Sequence, residues 1–161
     1  MNEPGAHECR SDLDIPVPLE QAWAVLADFA RWGEWNSFVV EVRGAERPQL
    51  GLLVHLDVRW HDGGKVVAAE EIVEVIDEPT RKGFRWDYRG LPARLGLVRG
   101  SRLIVLEARG PQACFYHSYE RFRGPFVGFL SMAKIQDGFD RMATGLAKAC
   151  ASTNEPSGSR L

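Results

Sequence analysis

Residues Gly124–Cys150, GPFVGFLSMAKIQDGFDRMATGLAKAC, decide how this chain folds. Phe129, Met132, Gln136, Phe139, Ala143, Leu146 and Cys150 recur at steps of three and four. That spacing predicts one mostly apolar stripe on an α-helix running from Gly124-Pro125-Phe126 to Ala149-Cys150. Pro125 suits a first helical turn, where its missing N–H is not needed. Lys134, Asp137, Arg141 and Lys148 supply the solvated face. Gly138 and Gly145 each cost about 1 kcal/mol against alanine inside a helix. Close backbone packing is the simpler account of either glycine; room left beside the helix is the other.

What the helix lies on follows from the chain before it. Cys9, Ser11, Leu13 and Ile15 alternate with Arg10, Asp12 and Asp14, a first strand over His7–Ile15 that Pro16 and Pro18 end. Pro18 then opens a helix with Leu19, Ala22, Trp23 and Leu26 on one face. Asp28 reads as the N-cap of a second helical turn, Phe29 to Glu34. From Phe38 the texture turns to strands. Leu52, Val54, Leu56, Val58 and Trp60 alternate with Leu53, His55, Asp57 and Arg59, and His61-Asp62-Gly63-Gly64 turns them into Lys65–Asp77. Phe84, Trp86 and Tyr88 mark a further strand. Gly90–Gly100 reads equally as a loop with a strand start or as a short helical insert. Ser101–Arg109 and Gln112–Arg123 pair around Gly110-Pro111. The expected class is α+β: a curved antiparallel sheet of about seven strands, two short helices after the first, wrapped around the long C-terminal helix.

Length and composition bound the rest. With 161 residues, 45% hydrophobic and 26% charged, the chain fits one globular domain, expected over residues 9–151, with a flexible segment 1–8 and a disordered tail 152–161. A net charge of −2 argues against a general electrostatic affinity for nucleic acid or anionic membrane. No run reaches the length of a membrane span and Met1–Glu8 lack an apolar signal region, so the expected location is cytoplasmic. Cys9, Cys114 and Cys150 are odd in number and far apart, which suggests buried free thiols rather than disulfides or a zinc site.

Three stretches resemble a known family. They are Ile15-Pro16-Val17-Pro18-Leu19-Glu20-Gln21-Ala22-Trp23 with Leu26-Ala27-Asp28-Phe29, Trp32 and Trp35-Asn36; Glu120-Arg121-Phe122-Arg123-Gly124; and Gly138-Phe139-Asp140-Arg141-Met142 with Leu146-Ala147-Lys148. Together they resemble the START-related helix-grip superfamily, SRPBCC, in its polyketide cyclase/dehydratase-like branch. The resemblance implies a hydrophobic small-molecule partner, polyketide-like or lipid-like, held between sheet and helix, and a cyclase, aromatase or dehydratase chemistry. Members of that branch often carry histidine two residues before the glutamate; here Ser118 occupies that slot, with His117 on the opposite face.

The cavity expected from this architecture is lined by Val54, Leu56, Val58 and Trp60 from one strand and by Phe84, Trp86 and Tyr88 from another. Trp35, Tyr116 and Ser118 join them, and Phe129, Met132, Gln136 and Phe139 supply the helix side. The aromatic row suits stacking on a flat or long apolar ligand, although such a stripe is more often plain core. Arg85 and Asp87 face away from it as an exposed cross-strand pair. With Tyr116, Ser118 and Glu120 inward, a buried Glu120 must find a partner or keep its proton. Glu120, Tyr116 and Tyr88 are the candidate catalytic residues; a structural carboxylate is the simpler account of Glu120. His55, Asp57 and His61 lack metal-ligand spacing, and no nucleotide or phosphate loop is present, so neither metal nor cofactor is expected. Arg94, Arg99 and Arg102 make their segment basic, which suits an anionic ligand group, an acyl-carrier protein or plain solvation. A monomer or weak dimer is expected, and a carrier, sensor or co-chaperone-like module is the alternative to an enzyme.

Overall fold

The computed structural model describes residues 7–153, and the expected loose segments lie largely outside that range. His7, Glu8, Ser152 and Thr153 are within it and belong to regular elements. Seven strands form one sheet: β1 (His7–Ile15), β2 (Val39–Arg43), β3 (Leu53–Arg59), β4 (Lys65–Glu78), β5 (Arg81–Tyr88), β6 (Arg99–Ala108) and β7 (Cys114–Arg123). Their order is β1-β7-β6-β5-β4-β3-β2, antiparallel throughout. The six consecutive strands pair with their chain neighbours, while β1 crosses over to β7, so the sheet curls around whatever covers its concave face.

Helix α1 (Leu19–Leu26) and the 3-10 turn Phe29–Glu34 bridge β1 to β2. Leu19, Ala22 and Leu26 are the buried face of α1, as their spacing predicts. Asp28 stands at the start of the 3-10 turn but makes no side-chain cap. What fixes this connection is Asn36, whose Oδ1 accepts from the N–H groups of Phe38 (3.0 Å) and Val39 (2.9 Å) and so launches β2. The ambiguous stretch 90–100 resolves into one turn of helix, α2 (Leu91–Arg94), followed by the start of β6.

The terminal helix α3 is shorter at its beginning than its apolar stripe predicts. It spans Met132–Thr153, preceded by a 3-10 turn at Val127–Phe129. Gly124 takes a φ of 126°, a left-handed conformation that side chains disfavour. Leu130 is extended, with ψ of 136°, which separates turn from helix. Phe129 is therefore carried outward and is 83% exposed, a correction to its expected place in the interior. The buried face of α3 is Ile135, Gly138, Phe139, Met142, Ala143, Leu146 and Cys150. Both glycines permit close approach: a Cβ at Gly138 would enter the Phe38 ring, and one at Gly145 would meet the Trp35 carbonyl.

The middle of the concave face is aromatic. Phe84 and Trp86 stand side by side on β5, and Phe29 and Trp32 pack onto them edge to face, with centroids 5.4 Å (Phe29–Phe84) and 6.0 Å (Trp32–Trp86) apart. Trp32 Nε1 donates to the Leu26 carbonyl at 2.9 Å, so even its one polar atom is satisfied. Each such buried ring stabilises the fold by roughly 1.5–3 kcal/mol through burial alone. Phe84 and Trp86 are thus occupied by their own chain instead of being presented to a ligand. Cys9, Cys114 and Cys150 are buried and free.

Candidate functional site

Beyond the aromatic layer the concave face becomes polar. Strand pairing puts Trp86, Arg102, Glu120 and Cys9 in one row across β5, β6, β7 and β1. In the neighbouring rows Glu70 pairs with Tyr88, and Gly100 with Phe122. Alternation along β7 turns Tyr116, Ser118 and Glu120 inward, and all three are buried. Glu70 and Arg102 are buried beside them.

Arg102 is the hub. Its Nε donates to Ser118 Oγ at 2.9 Å, an Nη approaches Met142 Sδ at 3.4 Å, and the guanidinium lies 3.8 Å from the Phe139 ring centroid. A buried guanidinium over an aromatic face is held by cation–π attraction as well as by charge. Helix α3 therefore clamps Arg102 from above through Met142 and Phe139. Among the described residues no donor bonds to either the Glu70 or the Glu120 carboxylate, and Glu70 Oε2 is an orphaned, fully buried acceptor. The Tyr116 hydroxyl lies near Ser118 and Arg102 without a partner of good geometry.

Two carboxyls and one guanidinium in a water-poor interior do not all carry charge comfortably. Burial pushes the Glu120 carboxyl up to about 7, with Arg102 pulling the other way. Glu70 is raised well above the ordinary carboxylate range, first by burial and then by the charge of Glu120. Burial thus favours the neutral form of both carboxyls, and the Arg102 charge opposes it. Burial likewise raises the Tyr116 phenol, and burial with the Glu70 charge raises Tyr88. Gly100 faces Glu120: a Cβ there would stand 3.0 Å from Glu120 Oε1, so the absent side chain leaves the carboxylate its space.

The remaining expected residues distribute unevenly. Val54, Leu56 and Val58 are buried on the concave face, and Trp60 is half-buried against Phe38. Met132 is half-buried, its carbonyl facing the Cys9 thiol. Gln136 does not reach the interior; its carboxamide accepts from Arg10 N–H (3.1 Å) and donates to the Arg10 carbonyl (2.6 Å). Trp35 instead lines an outer groove of about 680 Å³ between α1, the 3-10 turn and α3, with Ala24, Val25, Gly145 and Ala149. Arg85 and Asp87 do not pair with each other: Arg85 meets Glu74 at 3.1 Å and Asp87 meets Arg89 at 3.7 Å. His117 contacts Asp12 on the outer face, away from the cluster.

Sequence reasoning missed Glu70 and placed Arg102 with the surface arginines. A signal existed for both: Glu70 is in phase with Ile72, and Arg102 with Ile104 and Leu106. Among the described residues no group of three histidine, cysteine or acidic side chains could hold a metal ion, and no helix is long and apolar enough to cross a membrane.

A family profile described as "Polyketide cyclase / dehydrase and lipid transport" matches residues 6–152. No curated protein matches the sequence. Among solved structures, a hypothetical protein from Helicobacter pylori superposes with a TM-score of 0.72 at 10% identity, covering 89% of this chain and 88% of that one. Norcoclaurine synthase from Thalictrum flavum, in complex with dopamine and hydroxybenzaldehyde, gives 0.62 at 12% identity over 96% and 90%. The di-domain ARO/CYC BexL of the BE-7585A biosynthetic pathway gives 0.68 at 14% identity; 96% of this chain matches 52% of that one. At these identities the likeness shows the helix-grip fold and nothing finer.

Proposed function

Since the chain belongs to the polyketide cyclase/dehydrase and lipid transport family, we propose that it binds a hydrophobic, polyketide-like molecule between sheet and α3 and dehydrates or cyclises it. The observation that carries this reading is the buried Glu70–Arg102–Glu120 cluster, two carboxyls pushed toward their neutral forms beside one guanidinium. Dehydration of a β-hydroxy carbonyl compound uses one carboxyl in each form. One carboxylate takes a proton from the carbon next to the carbonyl, the other carboxyl protonates the departing hydroxyl, and water leaves. The pair ends with the proton count it began with. In this reading Arg102 stabilises whichever carboxylate is ionised, and the unpartnered Tyr116 hydroxyl is the donor to a ligand oxygen. Holding a flexible substrate in a reactive shape would add a contribution that position alone can supply.

Native mass spectrometry of freshly purified protein, followed by extraction, tests occupancy: an apolar molecule released on denaturation is the expected result. The Glu70→Gln and Glu120→Gln variants then separate turnover from carriage. An enzyme of this kind keeps its affinity for the extracted molecule but loses product formation by about 100-fold or more in either variant, the usual scale of general acid–base assistance. Equal product formation in wild type and both variants would sink the catalytic assignment and leave a carrier.

A further inference from the structure

Beside scattered exposed residues on and next to β3 and β4, the chain exposes four large apolar side chains on two loops that meet. Two loops meet at the end of the sheet where β5 finishes and β6 begins: residues 89–98, containing α2, and residues 124–131. Phe126 N–H donates to the Leu97 carbonyl at 3.0 Å, and Gly124 leaves room for that carbonyl, so the loops form one surface. On it Leu91, Leu95, Phe126 and Phe129 are 58%, 62%, 45% and 83% exposed. The Phe126 and Phe129 rings stack on each other, centroids 5.5 Å apart, and still face outward. A contiguous apolar patch of this sort marks an interaction surface.

Its charge narrows the partner. The net charge of −2 conceals a local excess, because neither residues 88–106 nor residues 123–136 contain an acidic side chain. Arg89 and Lys134 are spoken for by Glu71 and Asp62. Arg94 and Arg99 form no ion pair among the described residues and flank the apolar tips. Four apolar side chains standing out from two short loops, with Arg94 between Leu91 and Leu95 and Arg99 at the start of β6, fit the headgroup region of a lipid bilayer: rings and leucines among the upper acyl chains, guanidinium groups on phosphates. An acidic protein would match the arginines but offers single projecting side chains no comparable apolar depth. The patch also lies over Tyr88, whose hydroxyl abuts Gly90 and whose phenol feels the Glu70 charge, so it sits at the polar end of the concave face.

We infer that these two loops dock the protein on anionic membrane surfaces, independently of what the interior binds. Co-sedimentation with mixed phosphatidylcholine–phosphatidylglycerol vesicles and with pure phosphatidylcholine vesicles tests it. Wild type should pellet with the mixed vesicles, less with the neutral ones, and less again as salt rises. Replacing Phe126 and Phe129 together by serine should weaken binding at least about tenfold. Arg94→Gln and Arg99→Gln should each weaken binding by roughly fivefold, on anionic vesicles only. All four positions are exposed, and unchanged circular dichroism and melting temperature would certify the fold. Failure of wild type to pellet, or variants that pellet like wild type, overturns the inference. So does light scattering that shows a dimer dissolved by the two serines, or an acyl-carrier protein that binds the patch while vesicles do not.

Discussion

Glu70 and Glu71 are neighbours in the chain and opposites in circumstance. Glu71 faces outward and meets Arg89 at 2.8 Å on a partly exposed surface. Glu70 faces inward, with one carboxylate oxygen sealed away and unpartnered. The same contrast repeats at Glu120 and Arg121: Arg121 reaches Glu8 at 2.7 Å on the outer face, while Glu120 lies buried beside an arginine that bonds elsewhere. The convex face carries its charges as ordinary cross-strand pairs, including Arg43–Asp57 at 2.6 Å and Arg85–Glu74 at 3.1 Å. Pairs of that kind contribute little and cost little. The concave face instead carries carboxyls whose burial is unfavourable and whose retention asks for a use. Folding does not need them there, since an apolar layer of Phe29, Trp32, Phe84 and Trp86 already fills the adjoining space.

That difference can be pressed at three levels. Removing the hub is the most damaging: Arg102→Ala strands two carboxyls, vacates the Phe139 face and should destabilise the fold by about 3–5 kcal/mol in urea unfolding at neutral pH. A loss no larger than that of a surface arginine would erase the distinction between the two faces. Titration of Glu120 comes next. Its folded-state value is raised, so the stability linked to its neutral form is present below about 4.5 and fades as pH rises to about 7. Wild type should therefore lose stability relative to Glu120→Gln across that window, on the order of 3 kcal/mol in all, and run parallel to it at higher pH. A constant offset between the two curves would contradict the burial. The smallest effect belongs outside: Glu71→Gln should change stability by less than about 1 kcal/mol.

Much of this could be read from the sequence, and for identifiable reasons. Alternation in Leu52–Trp60 and in Tyr116–Phe122 is set by the two-residue period of a strand, so it was legible that Tyr116, Ser118 and Glu120 share a face, while their inward placement rested on continuity with Phe122 and the family resemblance. The start of α3 was not legible, because Phe129 continues the helical spacing while a left-handed Gly124 and an extended Leu130 interrupt the helix on either side of it. The aromatic row was legible as a row; that Phe29 and Trp32 would cover it depends on where α1 delivers the 3-10 turn. Arg102 was hidden for a different reason. Its phase with Ile104 and Leu106 points it inward, but a buried guanidinium is only credible once the groups around it are known. Its partners Trp86 and Glu120 come from strands paired on either side, information that exists only once the register is fixed.

One contact has a consequence for how copies of the chain coexist. β1 ends the sheet, and a strand in that position offers its backbone groups to any passing neighbour. Gln136 answers both groups of Arg10 with a single carboxamide, giving that residue the hydrogen bonds another strand would have made. The terminal helix thus works as a selvage at Arg10, stitching down the border of the cloth at that point.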